Sequence, residues 1–179
     1  MAIKIAFIGT HGTGKTTLAH ELVSKLKKQN IDAGYLGETV RRCPFPINKD
    51  ATKKSQIWII LNQIISELET EGRCDVLVCD RSVFDNYAYY VNKFGRSNIL
   101  EPLVKEHVKT YRCLIKVPIR PGFLKKDKIR STDKKWQEEI DTEMNKLLKN
   151  LKINYIDYEN SKSKIIGVIK NALRETHSI

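Results

Sequence analysis

The chain of 179 residues has the length of one compact domain, and its 41% hydrophobic and 30% charged residues are typical of a folded protein rather than a disordered one. Its net charge of +11 fits an anionic partner, either nucleotide phosphates or a nucleic-acid backbone, but an ordinary lysine-rich surface would give the same value. No apolar run has membrane-spanning length, and the four cysteines form no close pair, so we expect a cytoplasmic protein with reduced thiols and no membrane partner.

The first half of the chain begins with a strand and a helix. An apolar run predicts a buried strand over Ile3–Ile8, and the spacing of leucines predicts a helix over Lys15–Gln29. A second short strand is expected over Ala33–Leu36. A long helix follows over Thr52–Glu71, and Gly72 ends it.

The second half repeats this alternation. Further strands are expected over Val76–Cys79, Cys113–Val117 and Ile153–Ile156, with helices near Phe84–Val91, Asn98–Thr110, Thr132–Leu151 and Lys162–Arg174. Five strands that alternate with helices predict a parallel α/β sheet covered by helices on both faces. We see no linker or repeat, and therefore expect a single domain over residues 1–179.

The turn after the first strand carries a phosphate-binding motif. Residues Gly9–Thr16 match GxxxxGK(S/T), between an apolar strand and an amphipathic helix as the motif requires. The glycines let successive N–H groups point at phosphate oxygens, and the helix N-terminus adds its dipole. A simple connecting turn would not need the lysine and threonines. We expect nucleotide binding by Gly9, Thr10, His11, Gly12, Thr13, Gly14, Lys15, Thr16 and Thr17, with His11 as a loop residue facing solvent or the phosphates and without a catalytic role.

Two residues of this motif and one acidic residue predict a magnesium nucleotide site. Lys15 supplies a charge for the β- and γ-phosphates of ATP, and the Thr16 hydroxyl can ligate Mg²⁺. Asp80 follows the third strand, where a carboxylate can hold the same ion. The alternative for Asp80 is a helix N-cap.

Charged residues at the ends of other strands are candidates for catalysis, because ligands of parallel open sheets bind at the carboxyl ends of strands. Arg81 can clamp a phosphate oxygen, and Glu38 can act as a general base or accept a hydrogen bond from an acceptor hydroxyl. Arg41 and Arg42 lie close behind Glu38 and can neutralise an anionic substrate. For Arg81 and Glu38, structural ion pairs remain the alternative.

A basic segment near residues 119–133 separates the fourth strand from the next helix. Its cations are Arg120, Lys125, Lys126, Lys128 and Arg130. A mobile lid at this place could close over a transferred phosphoryl group and exclude water. A solvated basic loop is the alternative.

The motifs together resemble those of small P-loop kinases, in particular the group related to nucleoside and ribosylnicotinamide kinases and the AAA-type ATPase-like domain. The resemblance rests on the phosphate loop, on residues 37–42 (GETVRR), on Gln56, Trp58 and Gln63 in the long helix, on residues 80–82 (DRS) and on the lid-like residues 127–133 (DKIRSTD). The chain lacks the proline-glycine continuation after Glu38 that is typical of thymidylate kinases.

The resemblance implies a sheet in the order 2-3-1-4-5 and transfer of a phosphoryl group from ATP with magnesium. It implies an acceptor bound between the second strand and the long helix. Glu38 would lie near the acceptor hydroxyl, Gln63 near its base or ring, and Arg81 near the phosphates, while Arg130 would reach in from the lid.

The function expected from sequence is therefore that of an ATP-dependent kinase acting on a hydroxyl of a small, nucleoside-like acceptor. Two alternatives stay open: an ATPase that works as a partner-coupled switch, and a kinase that acts on nucleic acid, which the net charge of +11 motivates but which we do not favour. The identity of the acceptor, the choice between ATP and GTP, and the oligomeric state are not determined by the sequence.

Overall fold

The computed structural model describes residues 2–120, 122 and 132–176, with only the backbone described for residues 160–164 and 176. The strands are β1 (Ile3–Ile8), β2 (Ala33–Leu36), β3 (Val76–Asp80), β4 (Tyr111–Lys116) and β5 (Ile156–Asp157). All neighbouring strands pair in parallel, in the order β2-β3-β1-β4-β5. The predicted α/β class and strand order are confirmed.

Helices cover both faces of the sheet and give three layers. They are α1 (Lys15–Lys27), α2 (Lys53–Thr70), α3 (Val83–Phe94), α4 (Leu100–Val108), α5 (Lys134–Asn150) and α6 (Tyr158–Thr176), with short 3₁₀ helices at Thr39–Arg42 and Asn48–Asp50. Helices α1 and α6 pack on one face through residues such as Leu22 and Ile169. Helices α3, α4 and α5 pack on the other through Phe84, Val104 and Met144.

The central strand β1 is buried along its whole length, which explains why its sequence is apolar apart from Lys4. Because side chains alternate along a strand, Ile5 and Phe7 enter the core beneath α1 and α6, whereas Ala6 and Ile8 enter the opposite core. The two sheet neighbours of β1 are β3 and β4. The end of β1 therefore lies between two other strand ends, and the phosphate loop starts from this rigid position.

The predicted fifth strand is wrong in its position: it was expected over Ile153–Ile156, and the structure has it at Ile156–Asp157. The reason is the end of α5. Lys152 adopts a positive φ of 52°, and the Ile153 N–H donates to the Leu148 carbonyl at 3.0 Å. This is the hydrogen-bond pattern of a Schellman cap, which uses the first residues of the apolar run to terminate the helix.

Helix α2 carries a buried carboxylate that joins three other elements. Glu67 accepts hydrogen bonds from Gln63 Nε2 at 2.8 Å and from the Tyr111 hydroxyl at 2.5 Å. Its other oxygen lies 2.8 Å from His107 Nε2 and 3.3 Å from Lys4 Nζ. Burial raises the pKa of Glu67, but the hydrogen bonds from His107, Tyr111 and Gln63 outweigh it and lower the pKa overall. The carboxylate thus ties α2 to β1, α4 and β4.

The four cysteines are unpaired and differ in burial. Cys79 and Cys113 are buried, whereas Cys43 and Cys74 are half-buried, and all four are free thiols. Among the described residues, no helix combines the length and the apolar character that crossing a bilayer would need.

We expect Glu67→Ala to lower the free energy of unfolding by about 3 kcal/mol, because it leaves the Lys4 ammonium, only 3% exposed, with the weaker Glu71 contact at 3.5 Å. Urea denaturation at one protein concentration measures the loss. Glu106→Ala is the control, since the Glu106–Lys109 pair is exposed and should contribute less than about 1 kcal/mol. Equal effects of the two substitutions would contradict the expected role of Glu67.

Candidate active site

The loop between β1 and α1 is shaped by three glycines with positive φ angles. Gly9, Gly12 and Gly14 have φ values of 141°, 68° and 89°, which side-chain-bearing residues rarely adopt. At Gly9 a Cβ would also stand 2.5 Å from the Val117 carbonyl oxygen. Because Gly14 occupies the N-cap position of α1, no side chain caps the helix. The first N–H groups of α1 are therefore available to an anion.

Lys15 lies folded over this loop and is only 4% exposed. Its Nζ donates to the Thr10 carbonyl at 2.5 Å and lies 3.3 Å from Thr13 Oγ1. Burial, followed by the positive charge of Arg81, lowers the pKa of Lys15 to about 7. An anion next to Nζ would restore the full charge of this side chain.

Asp80, at the end of β3, lies beside the first turn of α1. Its Oδ2 accepts from the Thr16 hydroxyl at 2.6 Å, and its buried Oδ1 has no hydrogen-bond partner among the described residues. Burial and the nearby Glu38 charge raise the pKa of Asp80. A hard divalent cation would satisfy the unpaired oxygen, so this pair of oxygen ligands fits magnesium. The described residues hold no cluster of three or more metal-ligating side chains, so further ligands would come from phosphate oxygens or water.

The alternative prediction, that Asp80 caps α3, is not what the structure has. Ser82 is the N-cap, and its Oγ accepts from the Phe84 and Asp85 N–H groups at 3.2 and 3.4 Å. Asp85 Oδ2 in turn accepts from the Ser82 N–H at 2.9 Å. The other Asp85 oxygen accepts from the Gly9 N–H at 2.9 Å, which fixes the start of α3 to the phosphate loop.

Arg81 and Glu38 form a buried ion pair between the ends of β3 and β2. Arg81 Nε donates to Glu38 Oε1 at 2.8 Å, and Arg41 Nε donates to the other carboxylate oxygen at 2.9 Å. Arg81 has a φ of 91°, an uncommon value for a residue with a side chain. Such strain is often found at functional sites. Its N–H donates to the Phe7 carbonyl at 3.1 Å, so the sheet holds the strained residue in place.

The charges around Glu38 keep it ionised. Burial raises its pKa, but Arg81 and then Lys15 outweigh this and lower the pKa to about 2. Burial likewise lowers the pKa of Arg81, and the surrounding Tyr89, Glu38 and Asp85 reverse this and raise it overall. The pair is therefore fully charged at neutral pH.

A pocket of about 530 Å³, including the part open to solvent, lies next to the phosphate loop and Glu38. Its lining residues are His11, Glu38, Val40, Arg41, Asn48, Gln56, Ile59, Arg81, Asn86, Tyr89 and Trp136. The walls thus combine aromatic and aliphatic side chains with carboxamides and with the Glu38 carboxylate, which pairs with two arginines.

Three rings form the aromatic wall of this pocket. His11 and Trp136 have centroids 4.7 Å apart, and Tyr89 and Trp136 have centroids 5.7 Å apart in an edge arrangement. The Tyr89 hydroxyl also accepts from the His11 N–H at 2.9 Å. His11 is thus buried within the wall and does not face solvent, which was one of the two orientations expected for this loop residue.

Several predicted site residues come together and others do not. Glu38, Arg41, Arg81 and His11 line the pocket, and Lys15, Thr16 and Asp80 lie beside it. Gln63, predicted near an acceptor ring, is fully buried outside the lining. Its Oε1 accepts from the Thr39 hydroxyl at 3.0 Å and its Nε2 donates to Glu67, so the amide is used within the protein.

Of the remaining predicted residues, Thr17 is exposed on the first turn of α1. Arg130, with Lys125, Lys126 and Lys128, lies outside the described residues. Within the predicted lid segment, Arg120 is described: its Nη2 donates to the Thr13 carbonyl at 2.7 Å. A cation of this segment therefore does reach the phosphate loop, although it was not among the predicted site residues.

The sequence reasoning also missed Asn86, Tyr89 and Trp136. Asn86 and Tyr89 are three residues apart on α3 and so share one face of the helix, which is a signal that could have been used. Trp136 lies in the helix expected over Thr132–Leu151, at an apolar position of that helix. Periodicity could not distinguish a core position from a pocket wall.

Comparisons with known proteins agree with this architecture. A family model described as an AAA domain matches residues 4–163, which confirms the resemblance to an AAA-type domain. Among solved structures, deoxyadenosine kinase from M. mycoides with the products dCMP and a flexible dCDP has a TM-score of 0.62 and 16% identity, covering 98% of this chain and 100% of that one. Thymidylate kinase from Ehrlichia chaffeensis has a TM-score of 0.64 and 15% identity, covering 98% of both chains.

A second structure of the M. mycoides deoxyadenosine kinase, with bound dATP, has a TM-score of 0.63 and 17% identity over 96% of this chain and 99% of that one. At these identities the likeness establishes a shared fold. No relative was found among curated proteins.

The pKa of Lys15 gives a measurable consequence. At pH 8 a lysine with a pKa of about 7 is mostly neutral, and a bound triphosphate raises this pKa by favouring the ammonium form. We expect binding of MgATP to take up close to one proton at pH 8 and much less at pH 6, where Lys15 is already protonated. Isothermal titration calorimetry in buffers of different ionisation enthalpy measures the uptake.

Lys15→Met is the control for this experiment, because methionine has a similar length and does not titrate. This variant should show no uptake at pH 8. Uptake that persists in Lys15→Met, or that is equal at the two pH values in the wild type, would contradict the assignment to Lys15.

Proposed function

The chain belongs to the AAA domain family, and from this premise we propose that it is an ATP-dependent phosphotransferase that phosphorylates a hydroxyl of a small, nucleoside-like acceptor. One observation carries the proposal: the Glu38–Arg81 pair lines a pocket that shares His11 with the phosphate loop. A donor phosphate and an acceptor hydroxyl can therefore meet at this pair. The likeness in fold to a deoxyadenosine kinase and a thymidylate kinase supports the same reaction class.

In this proposal residues Gly9–Thr17 hold the phosphates of ATP. The N–H groups of the glycine-rich turn and of the first turn of α1 bind phosphate oxygens, and Lys15 exchanges its contact with the Thr10 carbonyl for the β- and γ-phosphates. Arg120 already contacts the loop at the Thr13 carbonyl and adds a further cation. Arg130 is proposed to join it from the lid.

Magnesium would be held by the Thr16 hydroxyl and the Asp80 carboxylate. The proposal rests on the 2.6 Å contact between the two groups and on the unpaired Asp80 oxygen among the described residues. A magnesium ion held by these two side chains would supply positive charge against the negative charge that develops on the phosphate oxygens. Tyr35, whose hydroxyl lies 3.4 Å from Asp80, keeps the carboxylate in orientation.

The acceptor would lie against the aromatic wall with its hydroxyl directed at Glu38. Aromatic side chains offer flat faces for a heterocyclic ring, and the carboxamides of Gln56 and Asn86 offer both donors and acceptors to its edge. Arg41 can release its contact with Glu38 when the hydroxyl arrives, because the Arg41 side chain is 40% exposed. Gln63 would act indirectly, by holding Thr39 and the Arg81 backbone.

The reaction then follows from positioning and charge. The acceptor oxygen attacks the γ-phosphorus, the bond from that phosphorus to the bridging oxygen of ADP breaks, and the hydroxyl proton passes to Glu38 and on to solvent. A carboxylate with a pKa of about 2 is a weak base, so its main effect is to orient the hydroxyl and take the proton late. This suits a loose transition state, in which little proton transfer precedes bond cleavage. Arg81 neutralises the equatorial oxygens.

The first test is turnover with Glu38→Gln, which keeps the size of the side chain and removes its charge. We expect kcat to fall by about 10²–10⁴-fold, with ATP affinity unchanged because the phosphate loop is intact. The assay measures ATP-dependent phosphorylation of a nucleoside and deoxynucleoside panel, after a thermal-shift screen with magnesium and a non-hydrolysable ATP analogue has selected binders.

Three results would favour another function or contradict the proposed role of Glu38. ATP hydrolysis that no acceptor alters would favour the ATPase switch. Phosphorylation of the 5′ end of an oligonucleotide, but of no nucleoside, would favour a nucleic-acid substrate. Full activity of Glu38→Gln would remove Glu38 from the mechanism.

A second test uses the only two tryptophans, Trp58 and Trp136. Trp136 lines the pocket and Trp58 does not, so an acceptor that stacks on the aromatic wall should change the emission of Trp136 alone. We expect titration with deoxyadenosine or thymidine to quench the Trp58→Phe variant, in which Trp136 is the fluorophore. The matched Trp136→Phe variant should show no change. Quenching of the latter variant only would place the acceptor outside this pocket.

A further inference from the structure

The turn from β3 into α3 contains a strained residue that neighbouring elements keep in place. Arg81 lies in this turn with a φ of 91°, and a conformation of this kind persists only where surrounding groups hold it. One such group is the Phe7 carbonyl, which accepts from the Arg81 N–H at 3.1 Å. Two other backbone groups of the turn, the Arg81 carbonyl and the Val83 N–H, contact side chains of α2 and β4. The direction of the Arg81 side chain therefore depends on these elements too.

Tyr111, the first residue of β4, holds the start of α3. Its hydroxyl oxygen accepts from the Val83 N–H at 3.1 Å, and its proton is donated to Glu67 Oε1 at 2.5 Å. An ionised carboxylate has no proton to give, so the tyrosine must donate to Glu67 and accept from Val83. Burial and the Glu67 charge raise the pKa of Tyr111, so the hydroxyl keeps the proton that this arrangement requires. The first N–H of α3, which has no partner within the helix, is thereby fixed.

Gln63 connects the same carboxylate to the Glu38–Arg81 pair. Its Nε2 donates to Glu67 Oε1 at 2.8 Å and lies 3.4 Å from the Arg81 carbonyl oxygen. Because the carboxylate only accepts, the amide presents its nitrogen to Glu67 and its oxygen to the Thr39 hydroxyl, which donates at 3.0 Å. Thr39 directly follows Glu38 in the chain. One carboxamide therefore contacts the backbone of Arg81 and the residue next to Glu38.

Glu67 is fixed from its other side as well. Its Oε2 lies 3.3 Å from Lys4 Nζ and 2.8 Å from His107 Nε2, and its side chain is fully buried. Since the carboxylate accepts every hydrogen bond that it makes, it determines the donor direction of two chains of hydrogen bonds. One chain runs through Tyr111 to the start of α3. The other runs through Gln63 to the ends of β2 and β3.

We propose that Glu67 and Tyr111 are positioning residues, which hold the Arg81 guanidinium in place through the turn before α3. Neither belongs to the described lining of the pocket, so they act on the site only through other residues. The expected effect on rate rests on the proposed phosphoryl transfer, in which the guanidinium neutralises phosphate oxygens. A displacement of about 1 Å at a group that contacts the reacting atoms can lower a rate about 100-fold. The loss of one of several anchors therefore has a smaller effect.

The first experiment removes the Tyr111 hydroxyl. Tyr111→Phe keeps the ring, and with it the contact between Lys4 Nζ and the ring centroid at 5.4 Å. We expect kcat for the acceptor chosen from the nucleoside panel to fall about tenfold, because the start of α3 loses an anchor. The KM for ATP should stay unchanged, since the contacts of Lys15 and Thr16 do not involve Tyr111. A steady-state phosphorylation assay measures both constants.

Tyr87→Phe is the matched control. The Tyr87 hydroxyl donates to Glu101 Oε2 at 2.9 Å and accepts from the Ser97 N–H at 3.2 Å, which is the same pair of bonds that Tyr111 makes. Its side chain is fully buried, but neither partner belongs to the turn before α3. Both variants should lower the midpoint of urea denaturation by similar amounts, and Tyr87→Phe should keep the wild-type kcat. Equal losses of kcat in the two variants would overturn the inference, because turnover would then follow stability alone.

The second measurement needs no acceptor. The Arg81 Nε–H donates to Glu38 Oε1 at 2.8 Å, and the Arg81 side chain is only 7% exposed. Its resonance in a ¹⁵N-correlated NMR spectrum is identified by its absence in Arg81→Lys. We expect this proton to exchange with solvent about tenfold faster in Tyr111→Phe than in the wild type, because a loosened turn opens the ion pair more often. Tyr87→Phe should keep the wild-type rate.

Gln63→Met tests the other chain of hydrogen bonds. Methionine has a similar length but no amide, so the Arg81 carbonyl and the Thr39 hydroxyl lose their shared contact. We expect exchange at Arg81 to accelerate as it does in Tyr111→Phe. Asn62→Leu is the control, since Asn62 Nδ2 donates to the Trp58 carbonyl within α2. This variant should leave exchange at Arg81 unchanged.

The two readouts separate this inference from the proposed function. If the wild type phosphorylates no acceptor, the proposed function fails, and the exchange rates alone decide whether Arg81 is held in this way. An exchange rate that stays at the wild-type value in Tyr111→Phe or in Gln63→Met overturns the inference at any level of turnover. Faster exchange with full kcat overturns the role of these anchors in the reaction.

Discussion

The Glu38–Arg81 ion pair is the contact on which the rest of the site depends. It joins the ends of β2 and β3, and Arg81 carries a strained backbone at that point. A backbone hydrogen bond to β1 keeps Arg81 in this strained conformation, and its buried guanidinium packs against the Tyr89 ring. A buried pair of this kind adds little net stability, because both charges lose their hydration. Its effect on the site is positional: it fixes two charges between the phosphate loop and the pocket.

The charges of the site are incompletely balanced, and this determines what can bind. Lys15 has a lowered pKa because it is buried and near Arg81, and Asp80 has a raised pKa because it is buried and near Glu38. A phosphate chain next to Lys15 would raise its pKa again, and a cation next to Asp80 would lower the pKa of that carboxyl. Both perturbations occur within the same small volume. The charges of the site are thus complementary to an anion that arrives with a cation, as the proposed MgATP would.

Much of the fold could be predicted because its signals are local. The predicted bounds of β1 and β2 agree with the structure, since apolar runs end at glycine or polar residues there. The meeting of Glu38, Asp80 and Arg81 followed from the rule that parallel strands end at one edge. The fifth strand could not be placed, because its apolar run is shared with a helix cap at Lys152. The prediction that Gln63 contacts an acceptor failed for another reason. Its hydrogen-bond partners Thr39, Glu67 and Arg81 come from three segments of the chain, and a sequence does not show which buried polar groups bond to each other.

Helix α2 serves several purposes at once through different residues. Its inner side supplies Glu67 to the buried cluster and its N-terminal half supplies Gln56 and Ile59 to the pocket, so two sides of the helix are already committed. The same rigid helix therefore positions two side chains of the pocket and the buried carboxylate that ties it to β1, α4 and β4.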